Sequence, residues 1–190
     1  MKLENRIHKV GNVYTTVIGV SDLDKEYACR FIEDIRRISD GAFFIQAVSA
    51  DAAYGIDHIL QALKISIESR NRKILLASTL EMDLLLRISC TNQILIALSQ
   101  IGLRNQASSC FILFSKNKKK LLKIARHLCK MDFKIDDHVL EPSKAKKELI
   151  CKRLRIQLNE FLSDEVVFTS FLSERAALLT KSGRHHGAFL

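Results

Sequence analysis

The chain lacks most of the features that would split it into parts or mark it as a catalyst. It has no tryptophan, one proline and seven glycines in 190 residues. No Pro- or Gly-rich linker separates two domains, and collagen-like or low-complexity order is excluded. No segment reaches the roughly 18 consecutive apolar residues of a membrane-spanning helix. The opening MKLENRIHKV has no apolar stretch of the kind a signal peptide carries. The five cysteines, Cys29, Cys90, Cys110, Cys129 and Cys151, form no CxxC pair and no Cys/His set at zinc spacing. An odd, unpatterned set fits a reducing compartment. The expectation is a cytoplasmic protein, also nuclear in a eukaryotic source, with no membrane partner.

Motifs of chemistry are missing as well. There is no GxGxxG, P-loop, GxSxG, HExxH or kinase signature. Asp136 and Asp137 are adjacent, and in an extended segment they point to opposite faces. His185 and His186 fall in the last nine residues, expected to be a flexible tail over 182–190. His58 opens a helical segment and is expected to be structural rather than catalytic. No catalytic residue, metal ligand or cofactor is therefore expected, and the chain is expected not to be an enzyme. The alternative is an enzymatic or small-ligand-binding α/β protein with a pocket that no motif marks.

What is present is an ordinary globular composition, 47% hydrophobic and 27% charged, over a length suited to one domain, expected at 1–181. The net charge is +9 and it is localised. Lys116 to Arg155 holds 14 basic and 5 acidic residues, and the remainder balances at 16 of each. Such a segment points to a polyanion, nucleic acid ahead of a membrane surface.

Val13–Val20 is rich in β-branched residues and predicts a strand, with Ser21 capping a helix that runs to Ser39. Phe43–Val48 predicts a second strand, and Ile59, Leu60, Leu63 and Ile67 give Ile56–Glu68 a helical period. A basic loop, Arg70-Asn71-Arg72-Lys73, precedes Ser78 and Glu81, spaced as in a capping box. The helix they begin runs to Ser89. Another follows Thr91 and stops at Gly102, expected in the left-handed conformation. Ser109–Phe114 predicts a central strand. Over Lys116–Lys130 the lysines fall on one side and Leu121, Leu122, Ile124, Ala125, Leu128 and Cys129 on the other. Phe133–Leu140 predicts an edge strand before Pro142, and two helices follow, over Ser143–Phe161 and Ser163–Lys181. The fold class is an α/β (α+β) sandwich: a small mixed sheet packed with helices, with a helical C-terminus.

Several segments resemble a known family. FIQAVSADAAYGIDHILQAL, ILLASTLEMDLLLRISCTNQILIALSQIGL, the strand SSCFILF and the helix VVFTSFLSERAALL are similar in order and spacing to the TPRKB-like subunit of the KEOPS (EKC) complex. The likeness runs from about Phe44 to Lys181 and includes Ala50-Asp51, His58 with Ala62, Arg87, Gln93-Ile94 and Gly102. Cys90 departs from it, standing where relatives often have glycine. The resemblance implies a non-catalytic subunit of the machinery that makes threonylcarbamoyladenosine in tRNA. It implies two partners: the single-stranded 3′ CCA end of tRNA, and a PRPK-type atypical kinase, and through that kinase the threonylcarbamoyl transferase.

Within that frame, Arg70, Asn71, Arg72 and Lys73 with Ser78 are candidate phosphate contacts beside a helix N-terminus, or else a solvated basic turn. Arg87 either pairs with Asp83 one turn back or faces the RNA. Lys119 and Lys123 stand for the lysine stripe, which supports the RNA body or is a solvated face. In the last helix Phe168, Phe171, Leu172, Arg175, Leu178 and Leu179 fall within an arc of about 180°. That is wider than a small core needs, so these six are the candidate kinase-docking face; the alternative is that the helix closes its own core.

Overall fold

A computed structural model describes residues 3–39, 41–157 and 164–181. Four segments form strands: β1 (His8–Val10), β2 (Val13–Leu23), β3 (Phe43–Ser49) and β4 (Ala107–Ser115). They make one sheet in the order β1-β2-β4-β3. The expected α/β sandwich is present, but its sheet is not the mixed one expected: every strand pair is antiparallel. Seven α-helices stand among the described residues: α1 (Lys25–Arg37), α2 (Gly55–Asn71), α3 (Leu80–Ser89), α4 (Ile94–Ile101), α5 (Lys118–Leu128), α6 (Lys144–Leu154) and α7 (Glu165–Ala177).

β4 is the centre, as its unbroken apolar run predicts. Alternate side chains along a strand point to opposite faces. Cys110, Ile112 and Phe114 join Ile59, Leu63 and Ile67 of α2 and Leu84, Leu85 and Ile88 of α3 on one face. Phe111 and Leu113 join Phe31 and Ile35 of α1 and Leu121, Ile124 and Leu128 of α5 on the other. A third, smaller cluster joins Tyr54, Cys90, Ile150 and Cys151 to Phe168 and Leu172 of α7.

Most of the expected elements are present, β1 is an addition, and several ends differ for local reasons. β2 runs past Ser21 through a register shift between Val20 and Leu23, so Asp24 rather than Ser21 caps α1, accepting from the Tyr27 N–H at 2.9 Å. Thr79, not Ser78, caps α3 by accepting from the Met82 N–H. α4 ends at Gly102 with φ −64° and ψ 162°, extended and not left-handed. Glycine serves there because a Cβ would collide with the Leu98 carbonyl oxygen. The expected Arg70–Lys73 loop is half helix: α2 continues to Asn71, and only Arg72 and Lys73 turn the chain.

Phe133–Leu140 is not a strand. It makes one bridge, Val20 to Ile135, and then a short 3-10 turn over Asp137–Leu140. Around that bridge, the Ser21 N–H donates to the Lys134 carbonyl and the Asp136 N–H to the Gly19 carbonyl, both at 3.0 Å. The Gly19 N–H donates to Asp137 Oδ1 at 3.2 Å, and Arg6 pairs with Asp137. A Cβ on Gly19 would collide with the Asp136 carbonyl, so glycine is what lets this segment lie against β2. Along β3, the Arg36 guanidinium donates to the Ile45 carbonyl at 3.2 Å. The two expected C-terminal helices are α6 and α7, and the tail expected at 182–190 lies outside the described residues.

Candidate nucleic-acid interface

α5 begins where the Asn117 side chain accepts from the Lys120 N–H at 3.1 Å. Its apolar side is buried: Leu121, Ile124, Ala125 and Leu128 sink into the sheet face. Its other side is a row of cations. Lys116, Lys119, Lys123 and Lys130 are exposed and stand outside every ion pair among the described residues. Arg126 in the same row pairs with Glu4.

The row does not stop at the helix. Lys116 lines a cleft of about 270 Å³ together with Asn12, Gly41, Phe44, Arg70 and Asn71. Two predicted basic segments, 46 positions apart from Arg70 to Lys116 in the chain, therefore share one surface. Aromatic rings accompany the cations: the Arg70 guanidinium lies over Phe44 at 5.1 Å, and Lys118 Nζ lies 5.9 Å from the Tyr14 ring centre. Phe44 in turn stacks on Phe114 at 5.1 Å. The Phe44 ring is thus occupied by Arg70 and Phe114, and Tyr14 packs on the opposite sheet face, so the surface offers cations for phosphates rather than rings for bases. Arg72 and Lys73 are exposed just beyond the end of α2, with Lys73 at φ 61°. Ser78 is exposed but caps no helix.

Arg87 does not belong to this surface. It is 2% exposed, with Nε on Asp83 Oδ2 at 2.8 Å, Nη1 on the Ala176 carbonyl at 2.6 Å and Nη2 on Ser69 Oγ at 2.9 Å. Asp83 also accepts from the Leu76 N–H at 2.7 Å. Of the two roles left open by the sequence, the structural pair is the one present, and it ties α3 to both α2 and α7.

The docking arc of α7 divides. Phe168 and Leu172 are fully buried in their own core, and Leu179 packs against the larger one. Sequence periodicity counted them as surplus because it does not register that α7 has neighbours on two sides. Phe171 is partly exposed with Arg175 over its ring at 5.7 Å, and Leu178 is 80% exposed. A surface not anticipated lies beside it. α4 turns Ile94, Leu95, Ile96 and Leu98 outward, Leu95 at 82% exposed. The Asn92 amide donates to the Thr180 carbonyl at 3.1 Å, which brings the start of α4 to the end of α7. The signal was in the sequence: ILIAL is apolar on every side of a short helix, more than one buried stripe accounts for.

Cys90, Cys110 and His58 are shut away from water. Burial pushes the Cys90 thiol up to about 11 and the Cys110 thiol up to about 12. A buried thiol that stays protonated is a poor nucleophile. His58 is buried, accepts from the Tyr54 N–H at Nδ1, and burial with the Arg153 charge brings it down to about 3. Among the described residues no group of three His, Cys, Asp or Glu is placed to hold a metal. A cavity of about 870 Å³ is an acidic groove lined by Tyr54, Asp57, Glu141, Glu165 and Glu174. No single helix among the described residues is long and apolar enough to cross a membrane. Comparison with protein-family models finds no match, and comparison with curated proteins finds none.

Proposed function

We propose that this chain is a non-catalytic RNA-binding subunit of a tRNA-modifying assembly, of the kind its sequence resembles in KEOPS. The observation that carries the reading is the continuity of the cationic surface from Arg70 and Asn71 through Lys116 to the outer side of α5. The cleft holding Arg70 and Lys116 suits the phosphates of an unpaired 3′ end, and the α5 lysines suit the backbone beyond it. The protein partner, a PRPK-type kinase linked to the transferase, docks on the apolar surface formed by α4 and Leu178. This replaces Phe168 and Leu172, which are core.

The test is a tRNA gel shift with intact tRNA and tRNA lacking CCA, on the wild type and on Lys119→Gln/Lys123→Gln/Lys130→Gln. Wild-type affinity should fall when CCA is removed. The triple variant should lose affinity for both RNAs alike, with its salt slope smaller by roughly 2, at roughly 0.7 per lost phosphate contact. Equal wild-type binding with and without CCA overturns recognition of the end. Unchanged affinity in the triple variant overturns the role of α5. The second reading, a small-ligand-binding protein, has the 870 Å³ groove in its favour. Absence of any RNA binding would leave that reading standing.

A further inference from the structure

At the other end of β3 lies a second cationic depression, separate from the RNA cleft. Phe44 lines the RNA cleft and Ser49 lines this one, and five residues of strand put them roughly 17 Å apart. Its volume is about 400 Å³. Three cations converge there, Arg104 from beyond α4 with Lys152 and Arg153 from α6, against one carboxylate, Asp51. The exposed side chain of Leu149 supplies an apolar wall.

Arg153 is the unusual member. Its Nη2 donates to the Ala52 carbonyl at 3.2 Å and more weakly to the Ile88 carbonyl at 3.4 Å. Its Nε–H is buried with no acceptor, and Nη1 has no partner among the described residues. Burial pulls the guanidinium below its ordinary pKa, and no carboxylate offsets that shift. The Asp51 charge acts instead on the neighbouring Lys146. A half-buried guanidinium held by neutral carbonyls lacks a counter-charge, whereas the more deeply buried Arg87 has Asp83. A guanidinium and an ammonium around one concavity match the oxygens of a phosphate group, and the volume falls in the range of small-molecule sites.

We infer that this depression binds a phosphate monoester of nucleotide size, with Arg153, Lys152 and Arg104 around the phosphate and Leu149 against the rest of the ligand. The site is independent of the RNA-binding reading. The probes are AMP, inorganic phosphate and adenosine, followed through the arginine side-chain Nε–H signals in ¹⁵N NMR. AMP and phosphate should shift the Arg153 signal saturably at millimolar concentration, and adenosine should not. Lys152→Glu and Arg104→Glu change exposed side chains and should each weaken AMP binding about tenfold, with RNA affinity at α5 retained. The triple glutamine variant of α5 should bind AMP as the wild type does. No saturable shift, or adenosine binding as well as AMP, overturns the site. So does AMP binding that survives both reversals and disappears in the α5 variant, since the phosphate would then be occupying the RNA surface.

Discussion

Arg87 in α3 and the lysines of α5 are cations of the same formal charge in opposite circumstances. Arg87 is withdrawn from water, and each of its three nitrogens has an acceptor at 2.9 Å or less. Lys119 and Lys123 are in water, without an ion pair among the described residues. The first arrangement leaves no donor exposed to a ligand, and its removal strands a carboxylate. The second contributes little to stability, because an exposed charge is already solvated, and keeps its donors available. Partner accounting therefore separates structure from function where residue type does not.

The largest effect that tests this contrast is at Arg87. Arg87→Met should lower unfolding free energy by about 3–5 kcal/mol, because Asp83 stays buried with only the Leu76 N–H as partner. Urea denaturation measures it, and adding Asp83→Leu should recover part of the loss. A loss below about 1 kcal/mol, the range of a surface pair, would break the comparison.

His58 gives the next effect. Its folded pKa of about 3 lies below the ordinary value of 6.5, so the unfolded chain takes up a proton that the folded chain refuses. Stability should therefore fall as pH drops through the window from 6.5 towards 3, by up to about 1.4 kcal/mol per pH unit. Urea midpoints at several pH values measure the slope, and His58→Gln should flatten it whatever its effect at neutral pH. At exposed His138 the Glu141 hydrogen bond raises the pKa, so its contribution has the opposite sign. The smallest effect sharpens the contrast from the other side. The α5 triple glutamine variant should unfold within about 0.5 kcal/mol of the wild type while losing RNA affinity.

Legibility in the sequence followed the range of the interactions. β4 and α5 were plain because an apolar run and an amphipathic period are local signals. The caps that the sequence predicts lie one to three residues from those in the structure. Ser21 and Ser78 have the right chemistry, but a register shift in β2 and the neighbouring Thr79 decided where the helices begin. The site depended on contacts that spacing does not reveal. Arg87 meets the Ala176 carbonyl across 89 positions, and Lys116 shares a cleft with Arg70. Along α7, Phe168 and Leu178 belong to one apolar arc, yet only the cores around the helix determine that the first is covered and the second bare. Cys90 ends α3 with φ 53°, a left-handed conformation that glycine would adopt without strain.

The segment laid along β2 also governs how this protein meets copies of itself. Strand edges with free N–H and C=O groups are templates for another chain. Here the Lys134–Asp137 segment occupies the Gly19–Ser21 stretch of β2, with the Arg6 and Asp137 charges close by. On the opposite border, the Arg36 guanidinium occupies the Ile45 carbonyl of β3. A sheet with a centre as apolar as SCFILF is thus guarded against fibril growth along these stretches.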